Sequence, residues 1–280
     1  MNSEFLENIT AILGKTPKRL HTLSGGLGTV YRVVLPDESA VVAKIGNSLE
    51  VEAYMLNYLT EHSDLPVPRP IHATQTLLVM EYIESDGSFN HSTEQHAAEL
   101  LAQLHSITTP TFGLEQDTVI GTLPQPNPPT DDWLTFFREH RLLYMANTAV
   151  QSGRLPSSML ARVERLASQL DRWLFEPTAP ALLHGDIWSG NVLTRNGRIS
   201  AFIDPAIYYG HPEIELAFIT LFNTFGDSFF ERYHQLRPIA DGFFEERCDL
   251  YNLYPLLVHV AIFGGGYVHS VDRILRRFGF

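Results

Sequence analysis

The sequence predicts an α+β protein of two lobes, a small lobe built on an antiparallel sheet over residues 1–84 and a larger helical lobe over residues 85–280. Short apolar runs separated by glycine-rich and Pro-Asp turns surround one helical segment in the first part. Apolar residues at three- and four-residue spacing dominate the second. A chain of 280 residues exceeds the usual size of one core, and its 44% hydrophobic content is enough to build two.

The chain opens on a helix with Phe5, Leu6, Ile9, Ile12 and Leu13 on one face, ended by Gly14. A strand over Arg19 to Leu23, the turn Ser24-Gly25-Gly26-Leu27-Gly28-Thr29 and a strand over Val30 to Leu35 follow. Residues without a Cβ allow backbone N–H groups to approach phosphate closely, so Gly25 and Gly26 are candidate phosphate contacts. The spacing is not Gly-x-Gly-x-x-Gly, and no Gly-x-x-x-x-Gly-Lys-Ser/Thr loop occurs, which argues against that common class of nucleotide-binding fold. Pro36 to Ser39 turn the chain into Ala40 to Ile45, where Lys44 interrupts an apolar run. A lysine there is seldom buried unless paired, and the helix from Leu49 offers an acid, with Glu52 favoured over Glu50. The apolar strand Leu77 to Glu84 then turns polar at Ser85-Asp86-Gly87-Ser88, a candidate hinge whose backbone around Glu81 and Ile83 would bond the edge of an adenine.

The second part carries helical spacing over Glu94 to Ile107, Asp132 to Val150 and Ser158 to Leu174. Between the first two lies Pro124-Gln125-Pro126-Asn127-Pro128-Pro129, too rich in proline for a helix or a central strand. It reads either as a surface linker or as a segment that shapes an acceptor site.

The most informative stretch is Leu182 to Leu193, containing His184-Gly185-Asp186-Ile187-Trp188-Ser189-Gly190-Asn191, followed by Ile203-Asp204-Pro205. Asn196-Gly197 between two apolar runs signals a two-residue type I′ hairpin. In the regular register Asn191 lies opposite Phe202, so Asn191, Phe202 and Asp204 project from one face, Asp204 diagonal to Asn191 at about 7–8 Å. A carboxylate and an amide carbonyl converging on one point form the oxygen-only environment that Mg²⁺ prefers. Asp186 stands where a base, or a carboxylate that orients an attacking hydroxyl, is required. Ordinary turn chemistry also places Asp and Asn in loops. The combination with the strand lysine and helix acid upstream favours phosphoryl transfer from a nucleotide.

On these residues the chain resembles the fructosamine kinase family, within the aminoglycoside-phosphotransferase and protein-kinase-like group. The resemblance is carried by Ser24-Gly25-Gly26, the His184 to Asn191 run, Asp204-Pro205-Ala206 with Tyr209-Gly210-His211-Pro212-Glu213, Phe112-Gly113-Leu114, Ile120-Gly121-Thr122 with Gln125-Pro126-Asn127, Trp133 with Phe136-Phe137 and Arg141-Leu142, and Phe263-Gly264-Gly265-Gly266-Tyr267. Trp188 and the Gln-x-Asn segment separate it from general aminoglycoside kinases. The resemblance implies a two-lobed protein-kinase-like fold and ATP-dependent phosphorylation of a hydroxyl on a ketosamine, free or protein-bound. It implies Asp186 as base, Asn191 and Asp204 as magnesium ligands, Lys44 on phosphate positioned by Glu52, and Trp188 stacked against the sugar. His184, Glu213 and Glu215 are expected to brace backbone rather than perform chemistry. Asp-Pro replaces the Asp-Phe-Gly of protein kinases, so activation-loop switching is not implied. An aminoglycoside or other amino-sugar phosphotransferase, and a non-catalytic nucleotide-binding protein, are the alternatives.

A net charge of −12 disfavours nucleic acid as a partner. Cys248 is the only cysteine, so no intrachain disulfide forms and a reducing cytoplasm is expected. The start lacks a basic signal region and no run approaches 18 apolar residues, so neither export nor membrane insertion is expected. A monomer using ATP and Mg²⁺ is the resulting expectation.

Overall fold

The computed structural model describes residues 3–23 and 28–280. Helix α1 (Ser3–Leu13) precedes strands β1 (Arg19–Leu23), β2 (Thr29–Val34) and β3 (Ala40–Ile45), helix α2 (Leu49–His62), and strands β4 (Pro70–Ala73) and β5 (Leu77–Glu81). The strands form one antiparallel sheet in the order β1-β2-β3-β5-β4. Side-chain alternation divides it cleanly. Val33, Val41, Ala43 and Val79 meet Ile9 of α1 on one face, while Val42, Leu78 and Met80 meet Leu49, Ala53 and Leu56 of α2 on the other. Lys44 lies two residues beyond Val42 and so shares the α2 face.

Helix α2 belongs to both halves of the molecule. Its Met55, Tyr58 and Leu59 enter the large core of the helical region. The Tyr58 hydroxyl lies 3.2 Å from the Tyr209 hydroxyl, and the Tyr54 hydroxyl donates to Glu115 Oε1 at 2.8 Å.

The helical region begins with α3 (His91–Leu104), capped by the Asn90 side chain, which accepts from Thr93 N. The small hairpin β6 (Thr118–Ile120) and β7 (Leu123–Gln125) follows. Helix α4 (Trp133–Phe137) runs through a π-helical stretch, Arg138–Leu143, into α5 (Tyr144–Gln151), and α6 (Ser157–Ala167) ends the expected helical span early. Strands β8 (Ala181–Leu183), β9 (Val192–Arg195), β10 (Arg198–Phe202) and β11 (Tyr208–Gly210) form two short antiparallel pairs, β8 with β11 and β9 with β10. Helices α7 (Pro212–Leu221), α8 (Asp227–Leu236), α9 (Cys248–Phe263) and α10 (Gly266–Arg277) complete the chain. Trp133, Phe136, Phe137, Phe202, Phe229 and Tyr251 fill the core between them. The architecture is thus mixed α+β, a small antiparallel sheet followed by a larger helical region. Among the described residues no helix is long and apolar enough to cross a membrane.

The hairpin departs from the expected register. Asn196 and Gly197 adopt positive φ of 53° and 71°, as a type I′ turn requires. Ser200 is then bulged out, which pairs Phe202 with Val192 rather than with Asn191. Phe202 is fully buried in the core, and Asn191 instead ends a 3₁₀ turn, Ser189–Asn191, just before β9. The common strand face expected for Asn191, Phe202 and Asp204 does not exist. The two segments are joined instead by the Ile203 N–H, which donates to Asn191 O at 3.0 Å, and Asp204 follows in a left-handed conformation, φ 51°.

A buried ion pair ties α7 to the start of α9. Arg247 donates to both oxygens of Glu213 at 2.8 and 2.7 Å, and also to the carbonyls of Asp241 and Ala240. Both side chains are almost fully buried, so deleting one strands the other. Glu213→Ala is expected to lower unfolding free energy by about 3–5 kcal/mol in urea titration. A change within error would show that the pair contributes nothing.

Candidate active site

The sheet and the helical region meet around a cavity of about 350 Å³. Gly28, Lys44 and Glu52 line it from the sheet side, and Asp186, Asn191 and Asp204 line it from below. Lys44 is its organising charge. Its ammonium donates to Glu52 Oε2 at 2.7 Å and to Asp204 Oδ1 at 2.9 Å. Burial alone would favour the neutral amine, but Asp204 and Glu52 together outweigh it and raise the lysine above its ordinary value. Glu52 is pushed up to about 7, first by burial and then by the negative Asp204, against the pull of Lys44. One cation facing two carboxylates leaves the cluster short of positive charge.

The second group centres on Asp186. Asn191 Nδ2 donates to Asp186 Oδ2 at 2.8 Å and to its backbone carbonyl at 3.0 Å. With its amide hydrogens committed, Asn191 has its carbonyl oxygen left to coordinate a cation. Burial first, and Asp204 second, push the Asp186 carboxyl up to about 7, opposed by the bond from Asn191. The oxygen donors of Asn191 and Asp204 fit a hard cation such as Mg²⁺. No cluster of three or more His, Cys, Asp or Glu that could hold a metal occurs among the described residues. An ion there would complete its shell with phosphate oxygens and water.

The backbone around Asp186 is held from three directions. Gly185 takes φ +86°, and a Cβ on it would lie 2.1 Å from the Ala206 carbonyl oxygen, so only glycine fits. The Ala206 N–H donates to His184 O at 2.7 Å, and the Asp186 N–H donates to His184 Nδ1 at 3.3 Å. Glu215 Oε1 accepts from Gly185 N at 2.6 Å, while its Oε2 meets His105 Nε2 at 2.9 Å. His211 caps α7, its Nδ1 accepting from Glu213 N. His184, Glu213 and Glu215 thus contact backbone and buried partners and do not line the cavity.

The structure gathers Lys44, Glu52, Asp186, Asn191 and Asp204 around one space, with Trp188 at its mouth, 37% exposed. Of the two acids considered for Lys44, Glu52 makes the contact and Glu50 is exposed. Glu81 and Ile83 stand apart from this cavity. Glu81 ends β5 exposed, its N–H donating to Arg69 O at 2.9 Å, and Ile83 is half-buried beyond the strand. Gly25 and Gly26 lie outside the described residues. Sequence reasoning missed the far wall, made by Val119 to Thr122 at the β6–β7 tip and by His259 and Phe263 of α9. Phe263-Gly264-Gly265 was a visible signal, but nothing local places it opposite Trp188.

A family model described as fructosamine kinase matches residues 39–278. A Synechocystis protein named probable ketoamine kinase is 38% identical, over 81% of this chain and 77% of its own. The chloroplastic protein-ribulosamine 3-kinase of Arabidopsis thaliana is 33% identical, over 92% of this chain and 81% of its own. A Thermobifida fusca crystal structure, named as that of a candidate fructosamine-3-kinase, is 29% identical with TM-score 0.85, covering 99% of this chain and 100% of that one. A thermostable mutant of the aminoglycoside phosphotransferase APH(4)-Ia shares the fold at TM-score 0.71, with 18% identity and coverage of 98% and 99%.

The braces carry a pH signature. Burial first, and Arg247 second, depress the buried His211 to about 3. Below the ordinary histidine pKa the unfolded chain takes up a proton that the folded chain refuses. Stability attributable to His211 is therefore complete above pH 6.5 and declines as pH falls toward 3, by on the order of 1 kcal/mol per pH unit. His211→Asn retains a capping oxygen without the titration. The wild type is expected to lose stability relative to this variant between pH 6.5 and 4 in urea titrations, and parallel curves would refute the assignment.

Proposed function

The chain belongs to the fructosamine kinase family, and from that premise we propose that it is an ATP-dependent kinase that phosphorylates a sugar hydroxyl of a ketosamine, a fructosamine or ribulosamine, free or protein-bound. The observation that carries the reading is the meeting of Lys44, Glu52, Asp186, Asn191 and Asp204 around one cavity. Two lobes dividing near residue 84 would hold the nucleotide between them.

In this proposal the phosphates of ATP lie against Lys44 and the glycine-rich segment with Gly25 and Gly26, and adenine reaches beyond the cavity to backbone groups of Glu81 and Ile83 other than the Glu81 N–H, which Arg69 O holds. Asn191 and Asp204 would hold Mg²⁺, which when bound supplies positive charge to the transferring phosphoryl group. Glu52 fixes the Lys44 ammonium so that its third hydrogen remains available. Asp186 accepts or orients the proton of the acceptor hydroxyl, and its raised carboxyl is suited to the role because a base works best near the working pH. Trp188 offers a flat amphipathic face to the sugar at the open mouth. Positioning and charge neutralisation carry the rate, since phosphoryl transfer requires little covalent assistance. The lone Cys248 supports a reducing cytoplasm as its place of action.

Two measurements test this. ATP consumption with fructosyl-lysine and a ribulosamine is expected to exceed that with an aminoglycoside panel, and consumption only with the latter would overturn the acceptor assignment. Asp186→Asn is expected to reduce kcat by about 10³-fold or more with ATP affinity preserved. Wild-type turnover in that variant would remove Asp186 from its role.

A further inference from the structure

The proline-rich segment exposes Pro124, Pro128 and Pro129 but buries the two amide side chains between them. Gln125 and Asn127 are each 1% exposed, in the middle of a buried polar network. Gln125 Nε2 donates to Thr118 Oγ1 at 2.8 Å and to the Ala206 carbonyl at 3.0 Å, and Gln125 Oε1 accepts from the Tyr254 hydroxyl at 2.7 Å. Thr118 passes its own hydroxyl hydrogen to Ile207 O at 3.3 Å and accepts from Asn127 Nδ2 at 2.9 Å. Asn127 Oδ1 accepts from Arg141 Nη2 at 2.6 Å, and the Arg141 guanidinium lies 3.9 Å over the Tyr208 ring. The members of such a network move together, because a shift of one alone leaves a buried polar atom without its partner.

This network meets the site at two places. Thr118 and Gln125 pair across the base of the β6–β7 hairpin, whose tip, Val119 to Thr122, lines the cavity. Ala206 follows Asp204 by two residues, and its carbonyl is clasped between the Gln125 amide and the close approach of Gly185. Its N–H is fixed on His184 O. The Asp204 loop therefore inherits its position from the hairpin on one side and from the Asp186 loop on the other.

We infer that Gln125 is a positioning residue: through the Ala206 carbonyl it sets the Asp204 loop and links it to the hairpin wall of the acceptor side. A ketosamine pressing on the hairpin tip and a magnesium nucleotide held at Asp204 then strengthen each other's binding, by a factor that is the same in both directions. This rests on the cation and acceptor roles proposed above.

The test reads binding rather than turnover. AMP-PNP affinity is measured by calorimetry across Mg²⁺ concentrations in the wild type and in Asp204→Asn, Gln125→Met and Tyr254→Phe. Gln125→Met is expected to raise the Mg²⁺ concentration needed for tight nucleotide binding about tenfold, with adenosine affinity unchanged, and Tyr254→Phe to do so to a smaller degree. Added fructosyl-lysine is expected to tighten AMP-PNP binding at least fivefold in the wild type and not at all in Gln125→Met. Wild-type Mg²⁺ dependence in both network variants overturns the positioning role. If Gln125→Met does not fold, Tyr254→Phe, which keeps the ring's packing, decides alone. Full Mg²⁺ dependence in Asp204→Asn also overturns the inference, since Gln125 would then have no ligand to position. Fructosyl-lysine that leaves wild-type AMP-PNP binding unchanged overturns the linkage, while the turnover assay judges the acceptor reading separately.

Discussion

One buried ammonium organises the molecule's chemistry. Lys44 sits on the sheet, takes Glu52 from α2 as its first counter-ion, and reaches across the cleft to Asp204 as its second. At an effective interior dielectric near 20, a contact of this kind carries about 4 kcal/mol of attraction. The energy does more than hold the two regions together. Because the second carboxylate is not neutralised, the cluster favours the arrival of another cation, and a lysine shared between carboxylates can turn toward phosphate once that charge is present. Lys44, Glu52 and Asp204 thus present together the groups a charged nucleotide requires.

Everything around Lys44 serves to keep that arrangement narrow. Helix α2 cannot drift with the sheet, because Met55, Tyr58 and Leu59 are part of the helical core. The Asp186 and Asp204 loops are stitched to each other through His184 and Ala206, and both are anchored outward, one to Glu215 and the other to Gln125. Rigid loops carry the reactive groups while the open mouth, with Trp188 and Phe263, is left to the acceptor. Electrostatic preorganisation of this sort is how an enzyme stabilises developing charge without rearranging at the moment of reaction.

Sequence reasoning could see what is local. The Lys44 to Glu52 pairing follows from a strand leading directly into a helix, and the α+β division follows from periodicity. The hairpin turn was legible in Asn196-Gly197, yet its register was not, because a bulge at Ser200 leaves no distinct mark in an alternating pattern. Asn191 and Asp204 line one cavity, but not from the common strand face expected of them. The burial of Gln125 and Asn127 was hidden for a different reason. Ala206 and Tyr254, which hold Gln125, are far along the chain, and no spacing rule relates them to Gln125 or Arg141 to Asn127. The same holds for His259 and Phe263, whose helix α9 is placed by packing against α5, α7 and α10. Resemblance to a family supplied roles for single residues, while the braces that fix those residues came only from the structure.

The most direct test of the central claim is the affinity ratio between ATP and adenosine in Lys44→Met, measured by calorimetry at saturating Mg²⁺. If the lysine held by Glu52 and Asp204 is what receives phosphate, the variant binds adenosine as the wild type does and loses most of its preference for ATP. A preference for ATP equal to that of the wild type would contradict the account.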